Sequence, residues 1–220
     1  MKKRARGLHP HMTKVLAAWF LVASAAASPA VMPRDVVQGA VARVIATLEE
    51  AKLNQPGEAL TAVGPNAERV RGEIRRIATD LFDFDEVARR ALSRHWAGRT
   101  RAEQTEFTSL FTDLLERSYV GKIESYSGEK IVYTGEVVDG NYATVRSRII
   151  TRRRTDTALD YRMHEVDGRW KVYDVLIDGV SFVSTYRSEF NRVIQSSSYE
   201  ELIERLRKKR LDVLAVSGKS

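Results

Sequence analysis

Arg169-Trp170-Lys171-Val172-Tyr173-Asp174-Val175-Leu176-Ile177-Asp178-Gly179-Val180-Ser181-Phe182-Val183-Ser184-Thr185-Tyr186-Arg187-Ser188-Glu189-Phe190 reads as a strand that turns at Asp178-Gly179 and runs directly into a helix. The strand half is apolar on both phases of its alternation. Trp170, Val172 and Leu176 fall on one phase, and Tyr173, Val175 and Ile177 on the other. Such a strand needs cover on both faces, from protein or from something bound. In the helix half Phe182, Tyr186 and Phe190 recur at i, i+4 and i+8, which stacks three aromatics on one stripe.

Upstream of this stretch the apolar period is two. Ile131, Tyr133 and Val137 alternate from Lys130, and Asp139-Gly140-Asn141 turns the chain. Ala143, Val145, Ser147 and Ile149 then oppose Thr144, Arg146 and Arg148, a strand with one wet face. Arg152-Arg153-Arg154 and Thr155-Asp156 make the next connection. Leu159, Tyr161 and Met163 alternate against Asp160, Arg162 and His164, and Asp167-Gly168 turns into the opening strand. Four consecutive strands on short turns predict an antiparallel meander.

Further upstream the period is 3.6. Val36, Val37, Ala40, Val41, Val44, Ile45 and Leu48 predict an amphipathic helix that opens at Pro33 and ends at Asn54-Gln55-Pro56-Gly57. A short helix is expected over 58–63 and a longer one over 66–80, carrying Val70, Ile74, Ile77 and Ala78. Asp83 or Asp85 caps a helix bearing Val87, Ala88, Ala91 and Leu92, with Trp96 just past it. Thr100-x-x-Glu103 is a capping box opening a helix with Phe107, Leu110, Phe111, Leu114, Leu115 and Tyr119, expected to stop near Tyr119, before Gly121. Ser198-x-x-Glu201 is a second such box, leading into Leu202, Ile203 and Leu206. Helices, then a four-stranded sheet, then helices define an α+β fold with the helices gathered on a twisted antiparallel sheet.

The first residues carry a different signal. Lys2, Lys3, Arg4, Arg6 and Lys14 precede the short apolar run Val15–Ala23 and the small residues Ser24–Ser28. That order predicts a secretory signal peptide over 1–27, one domain over 28–210, and a tail over 211–220. Removal of the leader takes away five basic residues and no acid. The formal charge of +7 then falls to +2. Residues 205–220 hold six basic residues and one acidic, which leaves the body, 28–204, at −3. The pI near 9.7 therefore belongs to the leader and the tail. The basic body that a nucleic-acid binder requires is missing, and no nucleic-acid partner is expected.

The chain offers little to assemble a reaction from. It has no cysteine, so thiol nucleophiles and thiolate metal sites are excluded. Beyond the leader only His95 and His164 remain, neither with ligand spacing, and no metal is expected. No G-x-S-x-G elbow, P-loop or G-x-G-x-x-G occurs. Asp83, Asp85 and Glu86 read as capping groups. Asp174, the one acid inside an apolar strand, is either a general base or a structural partner of an arginine or a backbone amide. What is abundant is inward apolar and aromatic surface, which serves as core or as the lining of a cavity for an apolar ligand.

Leu81-Phe82-Asp83-Phe84-Asp85 with the helix and Trp96 that follow, the Phe107-to-Tyr119 helix, and Trp170-Lys171-Val172-Tyr173-Asp174-Val175 running through Gly179-Val180-Ser181 to Tyr186-Arg187 and Phe190 together resemble the MlaC family over roughly residues 35–210. These are periplasmic phospholipid-binding proteins, also known as toluene-tolerance or auxiliary transport proteins. The resemblance implies a periplasmic carrier with phospholipid as its cargo, no cofactor, and helices and sheet enclosing an apolar pocket. It implies transient docking close to membranes, on an outer-membrane lipoprotein–porin complex and on an inner-membrane ABC transporter with an MCE-domain subunit. A sister branch linked to hopanoids is an alternative, as is a small α+β pocket enzyme using Asp174. The Arg152–Arg154 turn and the basic tail have no counterpart in the family pattern. The lipid-facing side chains expected on this reading are Val145, Ile149, Tyr161, Met163, Tyr173 and Val175 from the sheet, and Phe82, Leu114, Phe182 and Tyr186 from the helices.

Overall fold

The computed structural model describes residues 31–54, 64–151 and 156–209. The leader expected over 1–27, the short helix over 58–63, the Arg152–Arg154 turn and the tail over 211–220 fall outside them. The elements are α1 (Pro33–Asn54), α2 (Pro65–Leu81), α3 (Phe84–Leu92), a 3-10 turn (Ser93–His95), α4 (Arg101–Glu124), β1 (Lys130–Asp139), β2 (Tyr142–Ile150), β3 (Asp156–Val166), β4 (Arg169–Ile177), β5 (Val180–Ser181), α5 (Phe182–Ser196) and α6 (Tyr199–Arg207).

The α+β class is as expected, but the antiparallel sheet has five strands rather than four, in the order β1-β2-β3-β4-β5. Asp178 and Gly179 both hold positive φ, 48° and 81°, so the chain doubles back in a two-residue hairpin. Val180 and Ser181 then pair with Ile177 and Leu176 before α5 begins. Gly140 and the Asp167-Gly168 pair make the other tight turns, again at positive φ.

A second correction concerns β4, whose alternation breaks at a bulge. Val172 pairs with Met163, but Asp174 pairs with Arg162 and Val175 with Tyr161. Tyr173 is the extra residue. Val172, Val175 and Ile177 therefore share the sheet's inner face, although Val172 stands on the other phase of the sequence. The Tyr173 ring packs instead against Tyr142 and His164, with the Arg90 guanidinium 3.9 Å from its centroid.

Two packed layers result. The α1–α2 hairpin covers the inner face, where Val37, Ala40, Ile77 and Leu81 meet Ala143, Val145, Tyr161, Met163 and Val172. The helices α3 to α6 bury their own core. There the expected α5 stripe meets α4: Phe190 lies 5.4 Å from Phe107 and 5.0 Å from Phe111, and Tyr186 lies 5.0 Å from Phe111, all edge-on. Phe82 bridges to Val172, and the Asp83 amide donates to the Val172 carbonyl at 2.9 Å, which ties the α2–α3 link to the edge of β4.

The caps behave largely as read. Asp83 caps α3 by accepting from the Glu86 amide at 2.9 Å. Thr100 and Glu103 form both arms of their capping box. Ser198 accepts from the Glu201 amide, whereas the Glu201 carboxylate pairs with Arg205. The α4 helix passes through Gly121 and continues to Glu124. Ile123 packs beside Leu48 and Ile74, and Glu124 is a buried acceptor for Arg71 at 2.9 Å, contacts that outweigh the propensity cost of one glycine.

The Glu103 carboxyl is held below its ordinary range by the Thr100 amide and hydroxyl that donate to it. A lowered folded-state value means that this contribution is present above the unfolded pKa and is lost as the pH falls through the folded one. Glu103→Gln is therefore expected to lower the urea midpoint at neutral pH. The gap to the parent should close as the titration enters the acid range, while Thr100→Ala should cost about 1 kcal/mol at neutral pH.

Candidate binding cavity

Between the α1–α2 hairpin, α4 and the inner face of the sheet lies a cavity of about 550 Å³. Each wall has a local cause. Along α1, Val37 is buried against the sheet, Ala40 and Leu48 are buried yet border the cavity, and Val41, Val44 and Ile45, one step round the helix, stay half-exposed and line it. In α4 the buried Phe107, Phe111 and Leu114 face α5, and Leu115, Tyr119 and Ile123 turn toward the cavity. Ile77, Ala78 and Leu81 close it from α2, and Ile131, Ile149, Leu159, Tyr161, Val175 and Ile177 form the sheet wall.

Six of the ten expected lining residues stand on this wall: Phe82, Ile149, Tyr161, Tyr173, Val175 and Phe182. Tyr173 borders it at the bulge while its ring lies in the Tyr142–His164 cluster. The other four are placed in packed core. Leu114 and Tyr186 belong to the helical core, and Val145 and Met163 are buried under α1 and α2. They share a face with lining residues, but a neighbouring helix reaches them first. The α1 and α2 contributors were missed, although the breadth of the α1 apolar stripe, wider than one contact needs, carried the signal.

The lining is mainly apolar. Burial pushes the Tyr161 hydroxyl well above its ordinary pKa, and burial together with the neighbouring Tyr186 does the same for Tyr119. Tyr119 and Phe182 meet edge to face at 5.2 Å where α4 and α5 converge on the cavity. Charges stand on α2 and α4 beside this apolar space. Arg75 donates through Nε to Glu116 at 2.8 Å and through a second nitrogen to the other carboxylate oxygen, which ties α2 to α4.

Asp174 borders the cavity, but its carboxylate and the rings of His95 and His164 are held by protein partners. Asp174 is 4% exposed; it accepts from the Ser181 hydroxyl at 2.7 Å and the Val183 amide at 3.0 Å, with Arg162 at 3.5 Å. It is a structural partner that fastens the start of α5 to β4. His164 meets the α3 cap Asp83 at 2.9 Å, and His95 meets Asn191 at 3.1 Å. Among the described residues no three His, Asp or Glu side chains gather at metal-binding distance, and no helix is long and apolar enough to cross a membrane.

An α+β fold whose helices hold an apolar cavity against a sheet is the architecture of a protein built around a hydrophobic ligand. The chain belongs to the MlaC family, whose profile, described as MlaC protein, matches residues 39–208. It is similar to the toluene tolerance protein Ttg2D of Pseudomonas putida, 24% identical over 183 residues, which are 82% of this chain and 80% of that protein. It is also similar to the intermembrane phospholipid transport system binding protein MlaC of Haemophilus influenzae, 30% identical over 113 residues, about half of each chain. A phospholipid-binding protein from Ralstonia solanacearum, solved in complex with a phospholipid, shares the fold. Its TM-score is 0.68 at 24% identity, covering 81% of this chain and 97% of that one.

Proposed function

We propose that this protein is a periplasmic carrier that takes phospholipid acyl chains into the cavity and moves lipid between the outer membrane and an inner-membrane ABC transporter. The observation that carries this reading is the apolar cavity of about 550 Å³. The names of its relatives and the phospholipid held by the Ralstonia protein support the choice of cargo. The partners on this reading are an outer-membrane lipoprotein–porin complex and an ABC transporter with an MCE-domain subunit. Export follows from the leader over 1–27.

The energetics suit a carrier without a reaction. An acyl chain of ~16 carbons at ~0.8 kcal/mol per methylene costs ~12 kcal/mol to expose to water, so the tails must be enclosed while the head group stays wet. A bilayer is as apolar as the cavity, so lipid exchange between them is nearly balanced. Direction then comes from the docking partners.

The test is organic extraction and mass spectrometry of the purified protein, followed by uptake of phospholipid from vesicles. Co-purified or acquired phospholipid is the expected result. A lipid-free protein that also fails to take up phospholipid overturns the reading, and a hopanoid in the extract moves it to the hopanoid-linked branch.

A further inference from the structure

Among the described residues the sheet has one closed edge and one open one. Beyond β4 the edge is occupied by β5 and by the Phe82–Asp83 bridge. At the other end of the order stands β1, ten residues long, whose outer side pairs with nothing among the described residues. Val137 and Val138 on this strand are 50% and 46% exposed. An open edge of this length carries a row of backbone donors and acceptors ready for another strand.

The sequence of β1 is complementary to itself. Folded about the bond between Thr134 and Gly135 and run antiparallel, it sets Lys130 opposite Asp139, Ile131 opposite Val138, Val132 opposite Val137 and Tyr133 opposite Glu136. In a regular strand this register is forbidden, because it pairs odd with even positions and these point to opposite faces. A bulge removes the conflict. Tyr133 pairs with Ser147 and Gly135 with Arg146, so Thr134 is an extra residue and the alternation slips by one across it. Ile131, Tyr133, Glu136 and Val138 consequently share one face, opposite Ile149, Ser147, Val145 and Ala143. Lys130, Val132, Val137 and Asp139 share the other.

We propose that β1 pairs antiparallel with β1 of a second copy of this chain, about a twofold axis between Thr134 and Gly135, joining two five-stranded sheets into one. The interface is isologous, so each complementary pair occurs twice. An edge lysine and an edge bulge usually deter pairing. Here each lysine meets an aspartate, and the bulge is what brings matching faces together. A seam one strand wide is smaller than a standard interface, so the dimer is weak and depends on concentration.

Two experiments read this register. Because the chain has no cysteine, Val132→Cys and Val137→Cys place thiols opposite each other only between one copy of each variant. Mild oxidation of the mixture is expected to give a disulfide-linked dimer, and either variant alone is not. Sedimentation of the full chain should show self-association that Lys130→Glu weakens about tenfold, by setting two carboxylates against each other at both ends of the seam. Adding Asp139→Lys to the same chain should restore it. A chain that stays monomeric at high concentration, cross-linking by either cysteine variant alone, or a charge reversal that the second substitution does not rescue overturns the proposal.

Discussion

Val175→Asp is expected to reduce uptake of phospholipid by at least ~100-fold while leaving a folded protein. Val175 stands on the cavity wall, paired across β3–β4 with Tyr161, in the part of the sheet where the lining is apolar. An ionised carboxylate there must lose its water when an acyl chain arrives, at a cost of several kcal/mol. The variant is checked by vesicle-to-protein transfer of a fluorescent phospholipid, with circular dichroism to show that the fold is kept. The loss should ease as the pH falls, because burial favours the neutral acid. Leu114→Ala is the contrast. Leu114 is 3% exposed in the helical core, so the change should lower stability by about 3 kcal/mol and leave uptake per folded molecule unchanged. If both variants lose uptake equally, the cavity is not where the lipid sits.

Asp174→Ala is expected to cost about 3 kcal/mol of stability, read as a lower urea midpoint at unchanged slope. The carboxylate accepts from the Ser181 hydroxyl and the Val183 amide at the start of α5, and removing it strands donors that are shielded from water. Asp174→Asn keeps one acceptor and should cost about half as much. Its uptake of lipid should match the parent, since the side chain holds a helix and transfers no proton. An Asn variant that folds normally but no longer functions would return Asp174 to the role of a base.

How much of this was legible beforehand depends on the distance over which each feature is decided. The turns at Asp139-Gly140, Asp167-Gly168 and Asp178-Gly179 were readable because positive φ is a local demand. The caps at Asp83 and Thr100 were readable for the same reason. The α5 aromatic stripe declared its own spacing. The bulges were harder to read: Gly135, a glycine inside a strand, hints at the first, nothing at Tyr173 marks the second, and only the pairing with β2 and β3 shows where the extra residues stand. Alternation alone therefore put Val172 on the wrong side from Val175.

The cavity divides in the same way. That apolar surface exceeded what a two-layer core uses was visible in the sequence, in the two-sided β4 and the wide stripes of α1 and α4. Which residues face empty space was not. Val145 and Ile149 alternate identically on β2, yet α1 and α2 bury the first while the second lines the cavity. By itself the sequence determined the α+β order, the turns, the caps and the family pattern, because each is set by neighbours along the chain. Tertiary structure alone decided the fifth strand, the bulges, the hydrogen-bond partners of Asp174 and the boundary between core and cavity wall. A side chain's solvent is chosen by whichever element packs against it, and that element lies far away in sequence.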